Sequence, residues 1–276
     1  MAKLTTRELL RRHAAPFVAS CATLTLVLVA NYAVRQMPLV RAREPDVGAI
    51  VEVLLLSVPF TLALTVPMAV FVAVSWVFTR LGSEGVLNMA RRERHGVRRL
   101  VVPVLCAAAV ISTLTFISND QLLPRANARL LSVLNGRPRA LGERTMTLGE
   151  LQAAAITARA ATGADAARAA AVYEVEIQKK FALAAACLFL ALAGAATAIR
   201  FPHGGVGLML GATAFVFTGY YVSITTGESL ADRQVISPLV GMWMANAFLL
   251  AVGLLLVRRP SSAAPAGDPE TLGIGG

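Results

Sequence analysis

Six stretches of this chain carry no ionisable side chain: 14–34, 53–79, 100–119, 181–199, 204–227 and 234–257. A helix needs about 20 mostly apolar residues to cross a hydrocarbon core about 30 Å thick. Each stretch is long enough, so the chain is predicted to be an all-α membrane protein with six transmembrane helices. With 56% hydrophobic and 15% charged residues and a mean hydropathy of +0.64, a soluble domain of 276 residues is excluded. Pro59 and Pro67 fall inside the second stretch, where tilt and a kink are expected. The basic N-terminus resembles a signal peptide, but the uncharged run after it is too long for a cleaved segment, so it is read as a retained first span.

Charge then sets orientation. With a cytoplasmic N-terminus the inside segments hold 13 Lys and Arg and the short outside loops hold 4, namely Arg35, Arg41, Arg43 and Arg233. The bias predicts both termini in the cytoplasm, while the other 9 basic residues fall in the segment 120–180, too long for the rule to count. The net charge of +10 is thereby explained by topology and lipid contact, and nucleic acid is not expected as a partner.

The layout is 3+3 around a short, mostly helical periplasmic segment. Residues 1–119 form an N-terminal transmembrane half with a cytoplasmic loop at 80–99, 120–180 the external segment, 181–259 the C-terminal half and 260–276 a disordered cytoplasmic tail. Within the external segment, Asn135, Gly136 and Pro138 read as a loop. Thr147 and Glu150 stand at capping-box spacing before an Ala-rich helix, and Gly163 and Asp165 restart a helix that runs into the fourth span.

The chemistry is sparse. No GxxxxGK[ST], HExxH, GxSxG or Cys/His cluster occurs, so no catalytic residue, metal site or bound cofactor is expected. Cys21, Cys106 and Cys187 sit in apolar runs as small hydrophobes, and His13, His95 and His203 read as solvated or interfacial. No ionisable residue lies well inside a span, which argues against proton or ion coupling, and Glu52 and Glu228 read as interfacial. Gly207 and Gly211 form a GxxxG, either a helix interface or chance spacing. Asn31 and Asn246 each require a hydrogen-bond partner in or near the hydrocarbon.

The loop RLGSEGVLNMARRERHGVRR, residues 80–99, offers Ser83 as an N-cap, Glu84 in the first turn, and Val86 and Leu87 on an apolar side. It admits two readings, a surface helix that docks on a soluble ATPase or a basic loop that fixes topology.

Four stretches together resemble the LptF/LptG permeases of the lipopolysaccharide-export ABC transporter. They are Arg80, Leu81, Ser83 and Glu84 with Gly96, Leu100 and Pro103; Asn119 through Pro124 with Asn127; MTLGEL at 146–151 with YEVEIQKKFALAAACLFLALAGA at 173–195; and Ser237, Pro238, Trp243 and Asn246. The resemblance implies a permease subunit of the inner membrane that extracts lipopolysaccharide or a related anionic lipid. ATP would be used by a cytoplasmic LptB-like ATPase docked at Ser83, Glu84, Val86 and Leu87, and a second LptF/LptG-like permease would complete the pair. The lipid would lie between the first and fifth spans, with Arg35, Arg41 and Arg43 as head-group contacts or simple interfacial anchors. The segment 120–180 is too short for the family's β-jellyroll. The competing function is a non-transporting scaffold that pairs with a full-length permease.

Overall fold

The computed structural model describes residues 5–41, 47–93, 96–135, 142–202 and 204–258. Among them the secondary structure is helical, without a strand. Six helices are long and apolar enough to cross a membrane: Thr6–Arg35, Val51–Ser83, Gly96–Leu130, Asp165–Arg200, Gly205–Asp232 and Pro238–Leu256. Each contains or overlaps one of the six uncharged stretches.

In chain order the helices are α1 (Thr6–Arg41), α2 (Val47–Ser83), α3 (Val86–Arg92), α4 (Gly96–Ile117), α5 (Leu123–Asn135), α6 (Leu148–Ala160), α7 (Ala164–Arg200), α8 (Gly205–Asp232) and α9 (Pro238–Arg258). α2 is continuous through Pro59 and Pro67. Its 37 residues span about 55 Å at 1.5 Å per residue, well beyond the hydrocarbon thickness.

α7 is the centre of the bundle and packs on α2, α4, α6, α8 and α9. Its buried face is built of small side chains, among them Ala182, Ala186, Ala191, Ala193 and Ala195, which let neighbouring backbones come close. In lipid that close approach supplies the packing that hydrophobicity cannot. α8 and α9 touch most tightly at Gly227 and Gly241, where a side chain on Gly227 would meet the Gly241 carbonyl. Asn246 on α9 donates its Nδ2 to the Ala182 carbonyl at 2.9 Å, the partner its position required.

Contacts divide the bundle into two ends. At one end, Arg91 of α3 donates to the Ile199 carbonyl near the end of α7, and Arg12 of α1 meets Glu84 just past α2. At the other, Arg129 of α5 pairs with Glu52 of α2, and Lys179 of α7 with Glu228 of α8. α4 does not stop at Ile117 but passes through a π-turn, Ser118–Leu122, directly into α5, which packs back on α2. Asn135, read as loop, is instead the last residue of α5, while Gly136, Pro138 and the tail 260–276 lie outside the described residues.

The capping box forms as the spacing predicts. The Glu150 carboxylate accepts the Thr147 N–H at 2.7 Å and its hydroxyl at 2.9 Å. These hydrogen bonds, the backbone one first, hold the Glu150 carboxyl below its ordinary range. Because the folded pKa is depressed, this stabilisation is present above the unfolded pKa and is lost as pH falls through the folded one. The first turn of α6 is therefore expected to keep its helical carbon chemical shifts below the usual glutamate range of about 4.3 and to fray only at lower pH. Thr147→Ala keeps the backbone hydrogen bond and loses the hydroxyl one, so the same turn should fray at a higher pH than in the wild-type protein.

Candidate functional site

A groove of about 980 Å³ is walled by α1, α2 and α8. On α1, Ala15, Ala19 and Thr23 recur every fourth residue, so one stripe of small side chains leaves the space open. Val72 and Trp76 of α2 and Leu210 and Phe217 of α8 form apolar walls opposite. Among the described residues, the Thr25–Thr65 hydroxyl pair at 3.0 Å and Ser20 on the Ala69 carbonyl at 3.5 Å join α1 to α2. No residue of the most apolar window of α1 is buried, so this wall is free to face lipid or another protein.

One end of the groove is charged. Arg11, Arg12, Arg80 and Glu84 line it. Arg12 donates to Glu84 at 2.8 Å and to Glu8 at 3.5 Å, and Arg80 donates to Glu84 at 3.2 Å. The hydrogen bond from Arg12, reinforced by Arg80, holds the Glu84 carboxyl below its ordinary range. Arg11, Arg12 and Arg80 outnumber Glu84 and Glu8, which leaves positive charge at the mouth, suited to an anionic oxygen by charge-assisted hydrogen bonds.

The helix expected within 80–99 is α3, but it begins differently. Ser83 is not its N-cap: it ends α2 and donates its hydroxyl to the Arg80 carbonyl at 2.8 Å. The N-cap is Gly85, at φ 76°, a left-handed conformation that a residue without Cβ adopts freely. Glu84 therefore precedes the helix and staples α2 to α1. Leu87 is fully buried in the core with Leu81 and Leu100, Val86 is half-buried, and Met89 is exposed. α3 thus anchors inward through Leu87 and presents Met89 outward.

The other predicted site residues lie elsewhere. Arg35 is exposed and reaches Asn31 on its own helix at 3.4 Å. It stands 23 residues beyond Arg12, about 35 Å along α1, at the end of the helix away from the charged mouth. Arg41 is the last residue of α1, its side chain outside what is described, and Arg43 lies outside the described residues, as do His95 and His203. Gly207 and Gly211 have open space where a side chain would point, so a Cβ there would touch nothing among the described residues.

At the opposite end lies an ionic network that reading by uncharged runs misses. Lys180, 7% exposed, directs its ammonium at Asp120 Oδ1 (3.0 Å), the Asn119 carbonyl (3.3 Å) and the Met146 carbonyl (3.0 Å). Three donors find three acceptors. Asp120 also accepts the Leu148 N–H at 2.6 Å, so the π-turn, α6 and α7 meet at one carboxylate. Beside it, Lys179 sits 2.6 Å from both Glu176 and Glu228, with Arg144 3.8 and 3.6 Å from the same pair. The network ties the strap 142–147 to α7 and α8. The signal was the EIQKK stretch against the border of the fourth span, where a lysine one residue outside an apolar run has to find partners.

Six helices long and apolar enough to cross a membrane define an integral membrane protein, with a lateral groove between α1, α2 and α8 that is charged at one end. The family model described as the lipopolysaccharide export system permease LptF/LptG matches residues 7–136 and 131–259. The chain belongs to that family and is a multi-pass inner-membrane protein of lipopolysaccharide export. No curated protein matches it.

Proposed function

We propose that this chain is the transport subunit of an ATP-driven exporter of lipopolysaccharide or a related anionic lipid, and that the α1–α2–α8 groove receives the lipid from the side. The observation that carries this reading is the groove itself: about 980 Å³, walled by apolar side chains of the first, second and fifth spans, with three arginines at one end. Acyl chains match the walls by burial of apolar surface, and Arg35, Arg41 and Arg43, on the periplasmic side of the first span, are the candidates for the head group's phosphates. The excess of Lys and Arg on one set of loops supports cytoplasmic termini, with α3 and Glu84 on the cytoplasmic side and the 120–180 segment in the periplasm. There α3 docks on a separate LptB-like ATPase, with Met89 outward, and Glu84 carries its movement to α1. A second permease of the same family completes the pair, and the open Gly207–Gly211 stripe is a surface for that partner.

Reconstitution of the complex with its ATPase in lipopolysaccharide-containing liposomes tests the reading. Ala19→Trp fills the groove from an exposed position and is expected to cut ATP-driven lipid release at least about tenfold while the complex still assembles. Glu84→Ala is expected to uncouple, keeping ATP hydrolysis but lowering lipid released per ATP. Unchanged release in Ala19→Trp, with assembly still requiring this chain, would leave only the scaffold role.

A further inference from the structure

We propose that the charged end of the α1–α2–α8 groove binds an anionic phospholipid of the cytoplasmic leaflet, with its phosphate on Arg11 and Arg80 and an acyl chain along the apolar walls. The transport reading leaves this end unused, since its candidates for the exported lipid's phosphates stand on the periplasmic side of the first span. With cytoplasmic termini, the Arg11 end of α1 lies at the cytoplasmic surface. The phospholipid is thus a second ligand of the groove, and its binding requires no ATP.

The charge calls for an anion. Arg11, Arg12, Arg80 and Glu84 line this end, and Glu8 pairs with Arg12. Three guanidiniums against two carboxylates leave one positive charge over. Arg12 uses Nε on Glu8 and Nη1 on Glu84, while Arg80 uses Nε on Glu84. Among the described residues the terminal nitrogens of Arg80 carry no hydrogen bond, and neither does the guanidinium of Arg11. Arg80 is 71% exposed and Arg11 is exposed, so both are open to a phosphate without displacing Glu84. A zwitterionic head group brings an ammonium that the arginines repel, which favours a lipid of net negative charge.

The depth calls for a lipid. Arg11 and Leu24, at the two ends of the groove on α1, stand 13 residues apart, about 20 Å at 1.5 Å per residue. Half of a hydrocarbon core of about 30 Å is about 15 Å, so the groove holds the chain of one leaflet. Its volume of about 980 Å³ stands at the top of the usual range of ligand pockets, about 300–1,000 Å³. Polarity falls inward in the order a phospholipid requires. Trp76 lines the groove one turn deeper than Arg80, at the level of ester carbonyls, to which an indole N–H donates. Leu24, Val72 and Phe217 lie beyond it. An acidic loop of a partner protein would use the arginines and leave these walls uncovered. No residue of the most apolar window of α1 is buried, so entry from the bilayer is open. Chains descending from the periplasmic surface converge on the same walls, so a resident phospholipid has to leave before an exported lipid is seated.

The chain has two tryptophans, and Trp243→Phe leaves Trp76, 40% exposed, as the sole reporter. Its fluorescence is measured in phosphatidylcholine nanodiscs doped with phosphatidylglycerol or phosphatidylcholine brominated on the acyl chains. Brominated phosphatidylglycerol is expected to quench Trp76 saturably, at a mole fraction about tenfold lower than brominated phosphatidylcholine. With Arg11→Gln and Arg80→Gln added, the two curves should coincide. A reporter on the lipid face of α4, Val110→Trp with both native tryptophans replaced by Phe, should show no preference, which separates the groove from general attraction to a basic protein. Saturating glycerol phosphate should leave the quenching in place, because a head group without a chain makes no use of the walls. Neither ATPase nor lipopolysaccharide is present, so the outcome is read separately from export. Equal quenching by the two lipids in the Trp243→Phe parent, a preference that survives the arginine substitutions, the same preference at Val110, or displacement by glycerol phosphate would each overturn the proposal.

Discussion

Lys180→Met is expected to destabilise the protein by about 3–5 kcal/mol, the usual cost of removing one partner of a buried ion pair. The side chains of Lys180 and Asp120 are 9% and 14% exposed, so little water is available to replace the ammonium. Its loss leaves the Asp120 carboxylate without a countercharge and the Asn119 and Met146 carbonyls without a donor. The π-turn and the strap 142–147 should detach together. Asp120→Asn in the Lys180→Met background removes the stranded charge and should recover much of the loss, so a double-mutant cycle is expected to show strong coupling. Unfolding in mixed micelles of sodium dodecyl sulfate checks both. Arg129→Ala is the contrast: its pair with Glu52 is 65% and 38% exposed, and such pairs contribute less than about 1 kcal/mol.

The second large effect is expected at Gly227→Val. The new side chain meets the Gly241 carbonyl, and a side chain on Gly241 would in turn lie 2.6 Å from the Gly227 oxygen. Backbone stands in the way, so no rotamer change relieves the clash and α8 has to separate from α9. The expected loss is about 3 kcal/mol, the upper end of overpacking penalties. It should be accompanied by reduced lipid release, because Leu210 and Phe217 of α8 form a wall of the groove. Gly207→Val and Gly211→Val enter open space and should leave monomer stability within about 0.5 kcal/mol of wild type. If the stripe serves a partner permease, these two variants weaken pairing instead.

The glycines show where a sequence pattern informs and where it does not. GxxxG spacing picks out one face of one helix, whereas the close contact joins single glycines on two helices, and no spacing along the chain relates them. The six spans were legible because freedom from charge over a bilayer's width is a property of contiguous residues. The Thr147–Glu150 cap was legible because it is local. Lys180 escaped because its partners are about 30 residues away, in the strap 142–147, and about 60 residues away, in a π-turn that continues α4 into α5 without a composition signal. Ser83 was a sound N-cap by residue type, yet Gly85 took the position because the chain reverses there with positive φ. Leu87 was seen to be apolar, but whether an apolar residue on a short helix faces its own core or a partner depends on where α2 and α4 place it. Basic residues at both ends of α1 look alike in sequence, and only the packing of α1, α2 and α8 puts Arg11 and Arg12 at the end of this groove.

The claim that the lipid occupies this groove is tested most directly by placing a photo-crosslinking amino acid at single positions of the complete complex. Thr23 and Leu210 line the groove, and Val110 and Leu114 lie exposed on α4 outside it. The prediction is a lipopolysaccharide adduct at Thr23 and Leu210 that declines when ATP drives export, with none above background at Val110 and Leu114. Adducts of equal strength on both faces, or none at the groove positions while export proceeds, would contradict it.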